Sequence, residues 1–259
     1  SVVLNTGVGT FSAASSYAVG DGPVSVSLGD LDGDGNLDMV VANFNSNDTS
    51  VLLGHGDGTF SAPASYDAGD GPLSVSLGDL DGDGDHDMDV ANGNSDDTSV
   101  LLNNGDGTFS APASYDAGER PFSVSLGDLD GDGNPDMVVA NLDSDDASVL
   151  INQGDGAFAP QSFFGAGQGP VSVSLGDLDE DGHIDLAVAN ASSGDTSVLL
   201  NQAPSCAGDF NGDCEIDVFD LNIFITAFVA GDAFADLDEN GSVGFEDLNL
   251  FVAAFSAGC

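Results

Sequence analysis

The sequence predicts a mainly β fold: a β-propeller of four 49-residue antiparallel blades over residues 1–202, followed by a small α-helical domain over 203–259. Three observations predict it. An acidic nonapeptide recurs as DLDGDGNLD (30–38), DLDGDGDHD (79–87), DLDGDGNPD (128–136) and DLDEDGHID (177–185), each copy starting 49 residues after the one before. A fixed period of that length marks a tandem array of one supersecondary unit. Each copy lies between a run that alternates apolar and small residues and a run that is apolar throughout, the patterns of a half-buried and a fully buried strand. Beyond residue 202 the period stops, and two acidic loops 27 residues apart each lead into an apolar stripe at helical spacing.

Within one repeat, Val24 to Leu28 (VSVSL) is the alternating strand and Leu37 to Ala42 (LDMVVA) the buried one. Asn43 to Asp48 is a polar turn, and Ser50 to Leu53 a third strand. Gly56-Asp57-Gly58 signals a turn that needs positive φ. Phe60 to Ala68 holds a fourth, weaker strand. Four short antiparallel strands per repeat is the layout of a propeller blade.

The nonapeptide lies between the first two strands. Carboxylates at positions 1, 3, 5 and 9 of so tight a turn repel one another, and they converge only around a hard cation with oxygen ligands. The candidate ligands are Asp30, Asp32, Asp34, Asn36 and Asp38 in the first loop, and Asp79, Asp81, Asp83, Asp85 and Asp87 in the second. The third offers Asp128, Asp130, Asp132, Asn134 and Asp136, and the fourth Asp177, Asp179, Asp181, His183 and Asp185. Position 7 (Asn36, Asp85, Asn134, His183) contributes its backbone carbonyl. Gly35 and its counterparts permit the sharp turn. Ca²⁺ is favoured over Mg²⁺ because the loop offers many protein oxygens in flexible geometry. Two positions depart from the pattern. Glu180 stands where the other loops have glycine, which is expected to alter the turn without removing a ligand. Asp89 stands where the other repeats have Val40, Val138 and Ala187, and reads as a solvent-facing strand position. His55, His86 and His183 occupy unrelated loop positions and read as surface residues, not as a zinc or catalytic set.

DGTF (57–60), VSVSLGDLDGDG (24–35), DMVVAN (38–43) and SVLLN (197–201) together resemble the FG-GAP/VCBS-type repeats of bacterial extracellular proteins, related to the calcium-binding blades of integrin α-subunits. The resemblance covers residues 1 to about 202. It implies a β-propeller with one Ca²⁺ per loop in a secreted or cell-surface protein, and it fixes no ligand. The ends of the array do not match. Ser1 to Asn5 copies the third strand and Thr10 to Val19 the fourth, whereas the last repeat stops after its third strand at Thr196 to Asn201. Either Phe11 to Val19 completes the last blade and closes a four-bladed ring, or the array is an open arc completed head to tail by a neighbouring molecule. The exposed edge also invites strand addition.

After the linker Ala203-Pro204-Ser205, a twelve-residue loop runs from Asp209 to Asp220, and Leu221, Phe224, Ile225 and Phe228 form the stripe of a helix that Gly231 ends. The pattern returns from Asp236 to Asp247, with Leu248, Phe251, Val252 and Phe255 as its stripe. This part resembles a dockerin, a duplicated calcium loop–helix module with EF-hand-like loops. By position, the resemblance implies Ca²⁺ ligands at Asp209, Asn211, Asp213, Asp217 and Asp220 in the first loop, and at Asp236, Asp238, Asn240 and Asp247 in the second. Water serves where Gly244 offers no side chain, and the carbonyls of Glu215 and Ser242 complete the sets. The total is about six Ca²⁺ sites, four in the array and two here. Val218, Phe219, Phe245 and Glu246 stand at the usual partner-selecting positions, and the helices lack Lys and Arg, unlike most cohesin-binding surfaces. The close termini of the family suit a Cys206–Cys259 bridge, with Cys214 competing for either partner; three cysteines leave one thiol over.

Composition narrows the function. There are 45 acidic residues against one Arg, a formal charge of −44. With a single basic side chain, such a chain lacks the cationic surface that binds nucleic-acid phosphates or an anionic membrane. With 41% hydrophobic residues and the acids at fixed spacing, it reads as a folded protein that needs cations rather than a disordered one. No apolar run approaches the roughly 20 residues that span a bilayer. No signal peptide is visible, and the chain starts inside a repeat, as a mature or truncated form would. No Ser/His/Asp set or phosphate loop is present, and the metal spacing absorbs nearly all grouped carboxylates. The expected function is therefore non-enzymatic: an extracellular calcium-binding structural or adhesive protein, self-assembling head to tail. The alternative is a glycan- or protein-recognition subunit docked through its C-terminal module. Asn47-Asp48-Thr49 and Asn190-Ala191-Ser192 match the glycosylation sequon.

Overall fold

The computed structural model describes residues 1–202, 218–230, 235, 237 and 242–257. The chain divides into two units, Ser1–Asn201 and Gln202–Cys259.

The first unit is a series of antiparallel sheets. Strands β1 (Pro23–Gly29), β2 (Asp38–Asn43), β3 (Asp48–Leu52) and β4 (Ala64–Asp67) form the first, in that spatial order. Strands β5 (Pro72–Gly78), β6 (Asp87–Asn92), β7 (Asp97–Leu101) and β8 (Ala113–Asp116) form the second. The third holds β9 (Pro121–Gly127), β10 (Asp136–Asn141), β11 (Asp146–Leu150) and β12 (Ser162–Gly165). The fourth has only β13 (Pro170–Gly176), β14 (Asp185–Asn190) and β15 (Asp195–Leu199). The acidic nonapeptide always joins the first two strands of its sheet. Every sheet opens on a proline, whose missing N–H is tolerated at a strand's first residue, and the first pairing slips at that point in all four.

The second strands of the two middle sheets are buried on both faces because a neighbouring sheet covers each, and those of the outer sheets are covered on one face. At the first seam Leu31, Val40, Ala42 and Val51 pack on Val75, Met88, Val90 and Leu101 of the next sheet. Leu80, Ala91 and Val100 meet Val124, Met137, Val139 and Leu150 at the second seam, and Leu129, Val138, Ala140 and Ala147 meet Val173, Leu186 and Val188 at the third. Tyrosine and phenylalanine rings add an edge-to-face contact: Tyr66 on Phe109 at 5.3 Å and Tyr115 on Phe158 at 5.4 Å. The first strands adjoin in the order β1, β5, β9, β13. The four sheets thus stand as repeats in series. Residues 11–19 do not complete the fourth sheet. They fold back on the N-terminus through the bridges Val2↔Ser15 and Asn5↔Phe11, and Tyr17 stacks edge-on against Phe60 at 5.4 Å.

In the second unit, helices α1 (Val218–Ala230) and α2 (Phe245–Ala257) share a core in which the Phe224 and Phe251 rings stack at 4.4 Å, with Leu221, Phe228 and Leu248 against them. The expected stripes are narrower than the sequence suggests. Ile225 and Val252 are 47% and 52% exposed, because Ala227 rather than Ile225 turns toward the partner helix. Asp209, Asn211, Asp213, Glu215, Asp217, Asp236, Asp238, Asn240, Gly231 and the three cysteines lie outside the described residues.

Candidate metal centres

Each nonapeptide folds around its glycines. Gly33 and Gly35 have φ of 71° and 84°, a left-handed backbone that glycine adopts freely because it lacks the Cβ that would clash there. Glu180, at the position of Gly33, takes φ 64°, so the fourth loop keeps the turn and carries a strained residue in it. The N–H of Gly35 donates to Asp30 Oδ2 at 2.9 Å, and Gly84, Gly133 and Gly182 repeat the bond to Asp79, Asp128 and Asp177.

These turns bring together positions 1, 3 and 9. Carboxylate oxygens of Asp30, Asp32 and Asp38 lie within 4.8 Å of one another, as do those of Asp79, Asp81 and Asp87, of Asp128, Asp130 and Asp136, and of Asp177, Asp179 and Asp185. Position 5 is not in the triads. Asp34 Oδ1 accepts the Asn36 N–H at 2.7 Å and its Oδ2 the Asn36 side-chain amide at 2.8 Å. Asp83, Asp132 and Asp181 likewise accept the N–H of Asp85, Asn134 and His183. The side chains of Asn36 and Asn134 therefore face the turn, each donating its amide to the aspartate at position 5.

Position 9 anchors the loop. Asp38, Asp87, Asp136 and Asp185 are fully buried. In each, one oxygen accepts the N–H of the loop's leucine and the other an N–H just past the third strand: Leu31 and Gly54 for Asp38, Leu80 and Asn103 for Asp87. Leu129 and Asn152 hold Asp136, and Leu178 and Asn201 hold Asp185. Burial pushes the Asp87 carboxyl up to about 6, with the Asp81 and Asp83 carboxylates adding to the rise. Burial, then the neighbouring carboxylates, also raise Asp32, Asp81, Asp136 and Asp179.

An all-oxygen triad of mutually repelling carboxylates fits a hard divalent cation. Asp30 Oδ1 supports the fit in the first loop: it is buried with no hydrogen-bond partner. A Ca²⁺ would supply the missing partner and reverse the sense of every carboxylate shift. In the second unit, Asp247 is fully buried and accepts the N–H groups of Leu237 and Gly244, each at 2.7 Å, while Ser242 is exposed.

Asp89 corrects a sequence-based expectation. It is fully buried, neither oxygen has a well-formed hydrogen bond, and burial pushes it up to about 8, with the adjacent Val90 N–H offsetting only a part of the rise. The second strand is covered on both faces, so no position in the middle of it is solvent-facing. His55 and His86 are exposed and His183 half-buried, and none joins a triad. Sequence reasoning missed Asn103, Asn152 and Asn201 as loop anchors. Their signal was present: each lies sixteen residues after its buried aspartate.

Comparison with curated proteins found no match. Among solved structures, a lectin from Agrocybe aegerita that recognises non-reducing terminal N-acetylglucosamine is 24% identical, with a TM-score of 0.47, over 68% of this chain and 51% of the lectin. A protein of unknown function from Desulfotomaculum acetoxidans is 15% identical, with a TM-score of 0.51, over 76% of this chain and 61% of its own. The chain thus spans about half to three fifths of these proteins, and the likeness to the second is one of fold. The family model of the FG-GAP-like repeat matches four times, at residues 1–41, 30–88, 83–139 and 128–188, and each of the last three matches spans most of a sheet and its loop. The chain belongs to the FG-GAP-like repeat family.

Proposed function

We propose that this is a non-enzymatic, secreted bacterial protein of structural or adhesive type, whose repeat array binds one Ca²⁺ per loop and associates head to tail with a second copy. One observation carries the assembly: the two outer faces of the array bear the residues that pack at its internal seams. Leu178, Ala187, Ala189 and Val198 stand on the fourth sheet where Leu31, Val40, Ala42 and Val51 stand on the first. Leu178 and Val198 are 50% and 56% exposed. Val26 and Leu28, counterparts of Val75 and Leu77, are 61% and 55% exposed and line a cleft of about 660 Å³ with Met39, Val41 and Tyr17. The unpaired edge of β15 adds main-chain groups for strand addition. An extracellular setting suits calcium loops of modest affinity, and no helix among the described residues is long and apolar enough to cross a membrane. Electron microscopy with sedimentation in millimolar calcium tests the assembly. Concentration-dependent chains that Val198→Asp abolishes and chelation disperses are expected; compact single particles at every concentration would contradict it.

A second reading rests on the helical unit. Val229 and Phe245 are 81% and 74% exposed, an apolar surface suited to a protein partner. On this reading a dockerin-like module plugs a glycan- or protein-binding array into a larger complex. Cohesin capture that Phe245→Asp removes would favour it, and absent capture would leave the first reading.

A further inference from the structure

Each loop meets the next sheet at an asparagine. Asn103 is 4% exposed, and its N–H donates to Asp87 Oδ1 at 2.7 Å, holding the buried aspartate of the second loop. Its side-chain amide donates to the Leu31 carbonyl of the first loop at 2.9 Å and to the His86 carbonyl of the second at 3.0 Å. Its Oδ1 accepts the Gly105 N–H at 3.0 Å. One side chain therefore touches two loops. Asn152, 2% exposed, repeats the set between the second and third loops: to Asp136 Oδ1 at 2.8 Å, to the Leu80 carbonyl at 2.8 Å and to the Pro135 carbonyl at 3.0 Å. Asn201 joins the third and fourth loops through the Leu129 carbonyl and Asp185 Oδ1, both at 2.7 Å. In the first sheet the position is Gly54, whose N–H reaches Asp38 at 2.6 Å but which has no side chain to send onward. The bridges begin at Asn103 and connect four loops through three residues.

We propose that Asn103, Asn152 and Asn201 are positioning residues that couple neighbouring calcium loops, so that an ion in one loop raises its neighbour's affinity and the loops fill as a cooperative series. The proposal rests on the calcium reading above. In a calcium-free loop the three carboxylates repel and the backbone between them is loosely held. An ion draws Asp30, Asp32 and Asp38 together and fixes the segment that contains the Leu31 carbonyl. That fixes the acceptor of Asn103, and Asn103 in turn presents its N–H to Asp87, a ligand of the next ion. Part of the ordering that the second ion would impose is then already in place, which is coupling through shared ordering. The effect is reciprocal, and a coupling of this kind amounts to about 5- to 150-fold in affinity.

Site-resolved calcium titration of the metal-stripped full chain by amide NMR tests this. Gly35, Gly84, Gly133 and Gly182 serve as reporters, because each donates its N–H to the first aspartate of its own loop. In the natural protein the four are expected to respond around shared midpoints with slopes above those of independent binding. Asn152→Ala keeps the N–H to Asp136 and removes the bridge to the Leu80 carbonyl, together with the side chain's bonds to the Pro135 carbonyl and the Gly154 N–H in its own repeat. It should split the response into two pairs, Gly35 with Gly84 and Gly133 with Gly182, with midpoints separated several-fold. Asn201→Ala, at the half-buried end of the array, should detach Gly182 alone, and it decides the matter if Asn152→Ala does not fold. A merely structural role would lower the melting temperature and leave the reporters together. Independent midpoints in the natural protein, or reporters still moving together in the folded variants, would overturn the coupling. No response of any reporter to calcium would instead overturn the calcium reading itself.

Discussion

Asp89 is the residue most at odds with its surroundings. A buried carboxyl without well-formed hydrogen bonds stays protonated near neutrality at a cost, and ionising it there costs more. Its counterparts Val40 and Val138 are fully buried in the same strand position, so the site has the shape for valine. Asp89→Val is expected to stabilise the protein by about 2 kcal/mol or more at pH 7.5, as measured by denaturant unfolding. A destabilised variant would contradict this account of the site. Glu180 is a milder case. Glycine at its φ of 64° removes the steric penalty of the left-handed region, and Glu180→Gly should gain about 1 kcal/mol. That substitution should leave the ligands of the fourth loop in place, which a calcium titration of the variant would check. The strain at Glu180 was legible in the sequence, because a non-glycine stood in a column of glycines. The burial of Asp89 was legible in the other repeats, whose second strands are apolar throughout, but the acidic side chain itself argued for a solvent-facing position.

The loops and helices carry the next tests. In calcium-free protein the folded-state values of Asp87 and Asp89 lie above the ordinary carboxylate value of 3.8, at about 6 and about 8. The native state therefore binds more protons than the unfolded chain between about pH 4 and 8, and these two groups lower the unfolding free energy as pH rises through that window. Chelated protein should melt at a higher temperature at pH 5 than at pH 7.5. Calcium-loaded protein should run the other way below about pH 6, because protons then compete with the ion for Asp87. The same direction in both forms would contradict the placement of Asp87 among the ligands. In the helical unit, Asp247 accepts the N–H of Gly244 from the third residue of α2, the backward half of a capping box, and that of Leu237 as well. Asp247→Ala strands two amides and should cost that unit about 2 to 4 kcal/mol. The strands and both helices could be read from periodicity. That the carboxylates of positions 1, 3 and 9 converge while position 5 turns to the following N–H could not, because it depends on the folded turn.

The array as a whole stands on its seams and its loops together. The period of the sequence predicted the repeated sheets and the missing fourth strand of the last one. It could not decide between a ring and an open series, because closure depends on how the outer sheets are disposed. The asparagine bridges had the same status: their spacing was visible, but only the fold shows that Asn103 reaches back across a seam to Leu31. With a formal charge of −44 and four triads of facing carboxylates, the molecule should depend on divalent ions for its stability. Thermal unfolding of the full chain in millimolar calcium and in excess chelator tests that claim most directly. The loops and the sheets they join are expected to lose their cooperative transition, or to melt tens of degrees lower, once calcium is removed. Superimposable melting curves in the two conditions would contradict the assignment of the aspartate triads as calcium sites.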